Sequence, residues 1–182
     1  MKKILLCSAF VVTMLLLTNG VMAQQSATSN LNVHLTEQLK VDFGDGSGNV
    51  GSGDIDLYFA SAQDYVTGVS AVKNGHLLIT STKGYTVDVK TQNANLVGQT
   101  NNATIAAGAV RVKLLPTNSN LIIGNTTGLN LAATAGHFIT SAPATTKAAI
   151  DVEYFTNPND ERFVGIGADT YTTQITYTVT AN

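Results

Sequence analysis

Asp45, Ser47 and Asn49 stand at alternate positions of a glycine-rich stretch, GDGSGNVGSGD over residues 44–54, and Asp56 lies eleven residues after Asp45. Oxygen-bearing side chains at that spacing suit calcium. An EF-hand loop draws oxygen ligands from positions 1, 3, 5 and 12 because a hard cation takes carboxylate, amide and carbonyl oxygens. The four residues are therefore candidate calcium ligands, and calcium is the one cofactor the chain suggests. Two departures weigh against it. The sixth position, where the sharp turn needs glycine, is Val50, and the twelfth is Asp56 rather than the longer Glu that binds through both oxygens. The flanks read as strands rather than helices. A flexible inter-strand loop is the plainer reading.

The remaining chemistry is sparse. His34, His76 and His137 are far apart, and none has a His, Cys or Glu at ligand spacing. No nucleophile-elbow sequence accompanies them, so no catalytic residues are assigned and the chain is expected not to be an enzyme. Paired carboxylates for glycoside hydrolysis depend on separation in space, which leaves an unrecognised secreted hydrolase as a second alternative. Asp151, Glu153, Asp160 and Glu161 form another acidic cluster, but Asp151 and Glu153 share the solvent face of one strand. Tyr58, Tyr65, Tyr85 and Tyr154 could stack on sugar rings, although strand tyrosines more often pack half-buried. An intramolecular Lys–Asn isopeptide bond would need a buried lysine, and Lys40, Lys90 and Lys113 all sit on polar faces.

The N-terminus places these residues in a compartment. Lys2 and Lys3 precede an apolar run from Ile4 to Leu17, and Val21-Met22-Ala23 puts small residues where signal peptidase cuts. Residues 1–23 read as a cleaved secretory signal peptide of bacterial type. The run is shorter than the roughly 20 residues that span a bilayer. Cys7 lies near its start, not at its end where a lipid-modified cysteine would be. The product is expected to be secreted: extracellular, at the cell surface or in the periplasm. No later segment is apolar for long enough to cross a membrane.

After residue 23 the chain keeps all 12 acidic residues and 8 of its 10 basic ones, a formal charge of about −4. The basic residues are scattered, which argues against nucleic-acid binding. There is no cysteine after Cys7, which excludes thiol catalysis and cysteine–metal centres. Thr (23) and Asn (15) make up about a quarter of these residues, favouring strands and turns respectively.

Period-two alternation runs through this region. Residues 24–30 read as a flexible start. Leu31, Val33 and Leu35 alternate with polar residues, as do Leu39, Val41 and Phe43, then Ile55, Leu57 and Phe59. No packed element is expected in the glycine-rich stretch. Val66 to Val72 reads as extended. Asn74-Gly75, followed by Leu77, Leu78 and Ile79, predicts a type I′ β-hairpin. A second turn falls at Lys83-Gly84, before Tyr85, Val87 and Val89. Residues 92–103 read as a loop. Val110, Val112 and Leu114 form a strand stopped by Pro116. Short strands are expected around 121–123 and 138–140, with a loop or short helix over much of 134–149. Ile150, Val152 and Tyr154 resume the alternation, 157–160 break it, and Tyr171, Thr173, Ile175, Tyr177 and Val179 share one face of a long last strand. The fold class is all-β: an antiparallel β-sandwich, immunoglobulin-like, of roughly 8–9 strands, as one domain over 31–182.

The run Gly167-Ala-Asp-Thr-Tyr171-Thr-Thr-Gln-Ile175-Thr-Tyr177-Thr-Val179 resembles the closing strand of spore-coat-U-like fimbrial proteins and WxL surface domains. Gly75 to Lys90 is similar to their strand, turn, aromatic, strand piece. The chain departs from both. It lacks the disulfide and the near-terminal tyrosine usual in chaperone–usher fimbrial subunits, and it has no Trp. The resemblance implies a secreted surface-structure protein.

The expected function is a secreted, non-enzymatic structural or adhesive surface protein. It would be a fimbria-like subunit joining copies of itself or other surface subunits by strand addition at an edge, with the Thr-rich last strand as the candidate. The alternative is a secreted binding module for glycan or calcium.

Overall fold

The computed structural model describes residues 25–115 and 122–182. The expected leader, Pro116 and Leu121 lie outside them. The chain forms two compact units, Met1–Leu35 and Thr36–Asn182. In the first, residues 25–35 form no strand, and Leu31, Val33 and Leu35 are 88%, 70% and 91% exposed. The strand expected at 31–35 does not form: alternation makes a segment competent for a sheet, but only a partner's hydrogen bonds hold it in one.

The second unit is all-β. Its described elements are β1 (Leu39–Phe43), α1 (Ala62–Thr67), β2 (Ser70–Ser81), β3 (Tyr85–Thr91), β4 (Asn95–Gly98), β5 (Thr104–Ala106), β6 (Val110–Leu114), β7 (Ile123–Gly124), β8 (Leu129–Asn130), β9 (Gly136–Ala142), β10 (Thr145–Thr156), β11 (Tyr171–Thr172) and β12 (Ile175–Ala181). Twelve strands form three antiparallel sheets, ordered β1-β2-β10-β6-β8, β12-β3-β9-β7 and β11-β4-β5. The count exceeds the expected 8–9 because several strands are only two to four residues long.

The first two sheets form the sandwich. Leu77, Ile79, Val112, Ile150, Val152 and Tyr154 from one meet Val87, Val89, Phe138, Ile139 and Tyr177 from the other in a single core. Each fully buried side chain of this size contributes roughly 1.5–3 kcal/mol. The alternation read in β3, β6, β10 and β12 is the alternation observed, because one face of each strand is buried. In β1, Leu39 is exposed and only Val41 and Phe43 pack on the core.

Several local expectations are corrected. Asn74-Gly75 is not a hairpin turn but lies inside the twelve-residue β2. Ile150 pairs with Leu77 and Val152 with Lys73, so Asp151 alone faces Asn74, Gly75 and His76 across a bulge. Gly75 still has the positive φ, +54°, that the dipeptide favours. Its N–H donates to Asp151 Oδ1 at 2.6 Å instead of closing a turn. Lys83-Gly84 does turn, but it carries the chain from one sheet to the other, with the Ser81 hydroxyl donating to the Lys83 carbonyl at 2.7 Å.

Residues 66–72 divide between α1 and β2 at Gly68. The Asp64 carboxylate accepts from the N–H groups of Ser61 and Ala60 at the start of that helix. Ile55 and Leu57 pack on the core while Asp56 and Tyr58 face solvent, yet this segment joins no ladder. The loop expected over 92–103 contains β4, and the Ala/Thr-rich 134–149 holds β9 and the start of β10. Their weak hydrophobic pattern is overridden by pairing: β4 with β5 and β11, β9 with β3, and β10 with β2. The long last strand is split: β11 pairs with β4, and β12 with β3.

Candidate functional site

The glycine-rich stretch forms no strand or helix, as expected, but its backbone is tied by hydrogen bonds. A bridge joins Gly44 to Val50, Gly44 N–H donates to the His76 carbonyl at 2.9 Å, and Gly51 N–H donates to the Phe43 carbonyl at 2.9 Å. Asp45 organises the loop from within. Its Oδ1 accepts from the N–H groups of Ser47 (2.7 Å) and Asn49 (3.0 Å), and its Oδ2 accepts from Asn49 Nδ2 at 3.3 Å. The Ser47 N–H, and then that of Asn49, hold the Asp45 carboxyl below its ordinary range. Three of the four candidate calcium ligands are thus gathered, with Asp45 turned onto its neighbours' N–H groups. Asp56 lies exposed on the following segment. Among the described residues no group of three or more His, Cys, Asp or Glu is placed to hold a metal ion.

This loop roofs one corner of the first sheet. Leu78 points away from the core formed by Leu77 and Ile79, yet it is only 6% exposed. Between roof and sheet lies an open cleft of about 310 Å³, lined by Lys40 and Asp42 of β1, Asn49 and Val50 of the loop, Leu78 of β2 and Lys147 of β10.

A second cleft, of about 240 Å³, opens where the sheet edges β1 and β12 approach each other, between Val41 and Phe43 on one side and Ile175 and Tyr177 on the other. Behind it is a buried polar chain. The Tyr154 hydroxyl lies 3.0 Å from His76 Nε2 and 2.6 Å from the Tyr177 hydroxyl. The Phe43 ring sits 5.1 Å from the His76 ring. Burial, with a smaller contribution from Lys73, lowers the His76 pKa to about 4. Burial raises both tyrosines above their ordinary range. Period-two alternation puts Tyr154 on an inward face, but its partners His76 and Tyr177 lie on other strands, which a local pattern does not specify.

The three histidines do not converge. His34 lies in the first unit, His76 is buried, and His137 Nδ1 is 2.6 Å from Asp88 Oδ1 on an exposed face of the second sheet. Nor do the acidic residues act together. Asp151 binds Gly75, Glu153 pairs with Lys113 at 3.0 Å, and Asp160 binds Arg162 at 2.5 Å. Of the four tyrosines considered for sugar stacking, Tyr85 and Tyr154 are buried, while Tyr58 and Tyr65 are exposed.

No protein-family model and no curated protein matches this chain. Among the described residues no helix is long and apolar enough to cross a membrane.

Proposed function

We propose that this chain is a secreted, non-enzymatic surface subunit that assembles by strand addition. The observation that carries this reading is the edge of β12 that no described strand pairs, although β1 of the other sheet approaches it near Ile175 and Tyr177. Each sheet of the sandwich has a short outer strand on one side, β8 or β7, each of two residues. On the other side stand β1 and β12. Exposed edges are usually blunted by charge, proline or shortness. β1 carries the Lys40–Asp42 ion pair, whereas β12 reads ITYTVTA and has none of these devices.

The Gln174 carbonyl accepts from Gln92, and Asn182 N–H donates to Gly84, so even-numbered residues direct their backbone toward the β3 side. Alternation then directs the N–H and C=O groups of Ile175, Tyr177 and Val179 to the unpaired edge. The Leu31, Val33 and Leu35 side chains have the same three-residue, period-two spacing, which makes this segment of a second copy a suitable added strand. The leader-like N-terminus and the similarity to fimbrial and WxL-type closing strands favour a place outside the cytoplasm.

The test is size-exclusion chromatography with light scattering, with and without calcium, on the native chain and on Val179→Pro. Proline there removes an N–H that the β3 ladder does not use. Laddered species in the native chain that collapse to monomer in the variant are expected. A native monomer at every concentration tested would overturn assembly by the chain alone.

A further inference from the structure

We infer that the cleft beneath the glycine-rich loop is a binding site for a hexuronate, a pyranose bearing one carboxylate. The inference is independent of strand addition, because it concerns the outer face of the first sheet rather than an edge.

The first observation is the charge. Lys40 is already paired with Asp42 at 2.8 Å, but Lys147, on the opposite wall, makes no ion pair among the described residues. Its ammonium lies 3.6 Å from the point a Cβ on Gly48 would occupy, so it stands against the roof with only a glycine between them. Among the described residues Lys147 is thus the lining cation without an ion-pair partner; the Asp45 carboxylate in the roof is spent on the N–H groups of Ser47 and Asn49. An anion is the group that Lys147 lacks.

The second observation is the surface around that charge. Leu78 forms an apolar floor, and Val50, 66% exposed, forms an apolar rim. A bare phosphate or carboxylate would leave the Val50 side chain in water, whereas the C–H face of a pyranose would cover it; Leu78 beneath is already nearly buried.

The third is the polar complement. Asn49 gives one of its two side-chain N–H groups to Asp45, and its second N–H and its carbonyl oxygen remain as a donor and an acceptor. The Lys40–Asp42 pair presents a donor and an acceptor side by side. Ring hydroxyls need both. The volume, about 310 Å³, is at the small end of ligand sites and suits one sugar ring.

The glycines have a role in this arrangement. Gly51 passes so close to Asp45 that a Cβ would come within 2.8 Å of its backbone. Asp45 holds the turn that keeps Asn49 and Val50 over the sheet. The carboxylate read as a metal ligand builds the roof of a site whose ligand is an anion.

The experiment is an amide chemical-shift titration of the chain expressed from its full sequence, using sodium glucuronate, sodium galacturonate, glucose and acetate as probes. One or both uronates should give saturable shifts at Asn49, Val50 and Leu78, with glucose and acetate at least about tenfold weaker. Lys147→Gln and Val50→Glu should each weaken uronate binding about tenfold while the remaining spectrum is kept. Lys83→Gln, at an exposed lysine paired with Glu37, should not. The proposal is overturned if those amides do not shift, if acetate binds as tightly as the uronates, or if Lys147→Gln leaves binding unchanged.

Discussion

The hydroxyl of Tyr154 lies 2.6 Å from the hydroxyl of Tyr177, and the two residues belong to opposite layers of the sandwich. Tyr154 is on β10, Tyr177 on β12, and His76 on β2 completes the chain at 3.0 Å. Polar groups buried this deeply are tolerated because each one satisfies the next. Tyr154→Phe keeps the ring and removes the central hydroxyl, leaving His76 and Tyr177 without their shared partner. The expected loss is about 1–3 kcal/mol of stability, read by urea unfolding. An unchanged midpoint would mean that the chain adds nothing to stability.

His76 predicts a pH dependence. Its pKa falls from 6.5 to about 4 on folding, so between these values the unfolded state binds more protons than the folded state. Stability should decline as pH drops from about 6.5 toward about 4 and then level off for this group, a change of about 3 kcal/mol. The carboxylates Asp45, Asp64 and Asp169 have lowered pKa values. Their contribution is present above the ordinary carboxylate value and fades as pH falls through their folded values. Unfolding midpoints between pH 7 and 4 should slope in the native chain and flatten in His76→Leu.

Two neighbouring glycines should respond differently to alanine. A Cβ on Gly44 would fall 2.0 Å from the Gly75 carbonyl oxygen, which is backbone and cannot step aside. Gly44→Ala should cost roughly 3 kcal/mol or more, through displacement of the β1 end from the β2 bulge. A Cβ on Gly75 has its nearest contact at 3.6 Å, so Gly75→Ala bears mainly the strain of its positive φ, about 1–2 kcal/mol. Thermal unfolding of both variants checks the order.

Asp169 holds the smallest sheet to its loop. Its Oδ2 accepts from Thr100 N–H at 2.8 Å and Asn101 N–H at 2.9 Å, and Asn101 Nδ2 donates to the Tyr171 hydroxyl at 3.0 Å. Asp169→Ala should speed amide exchange over residues 98–103 and leave the sandwich core protected. Uniform loss of protection would show that this corner is coupled to the whole fold.

The all-β class, the inward faces of β3, β6, β10 and β12, and the break at 157–160 were legible in the sequence. Alternation at period two is a local property that burial of one strand face imposes directly. Asn74-Gly75 was legible only in part. The dipeptide determined a positive φ, but whether that φ closes a hairpin or forms a bulge depends on Asp151. Leu31–Leu35 alternates as well as any strand in the core and is unpaired, because a ladder needs a partner that alternation cannot supply. The glycine-rich loop shows the same division. Its sequence reads as a flexible loop with calcium-ligand spacing, whereas the turn that Asp45 organises shows only in the structure. Only the tertiary structure folded that turn over Leu78 and set Asn49 and Val50 on the same cleft as Lys147, residues nearly a hundred positions apart. Local spacing selects backbone geometry, whereas a site is a property of surfaces brought together by long-range pairing.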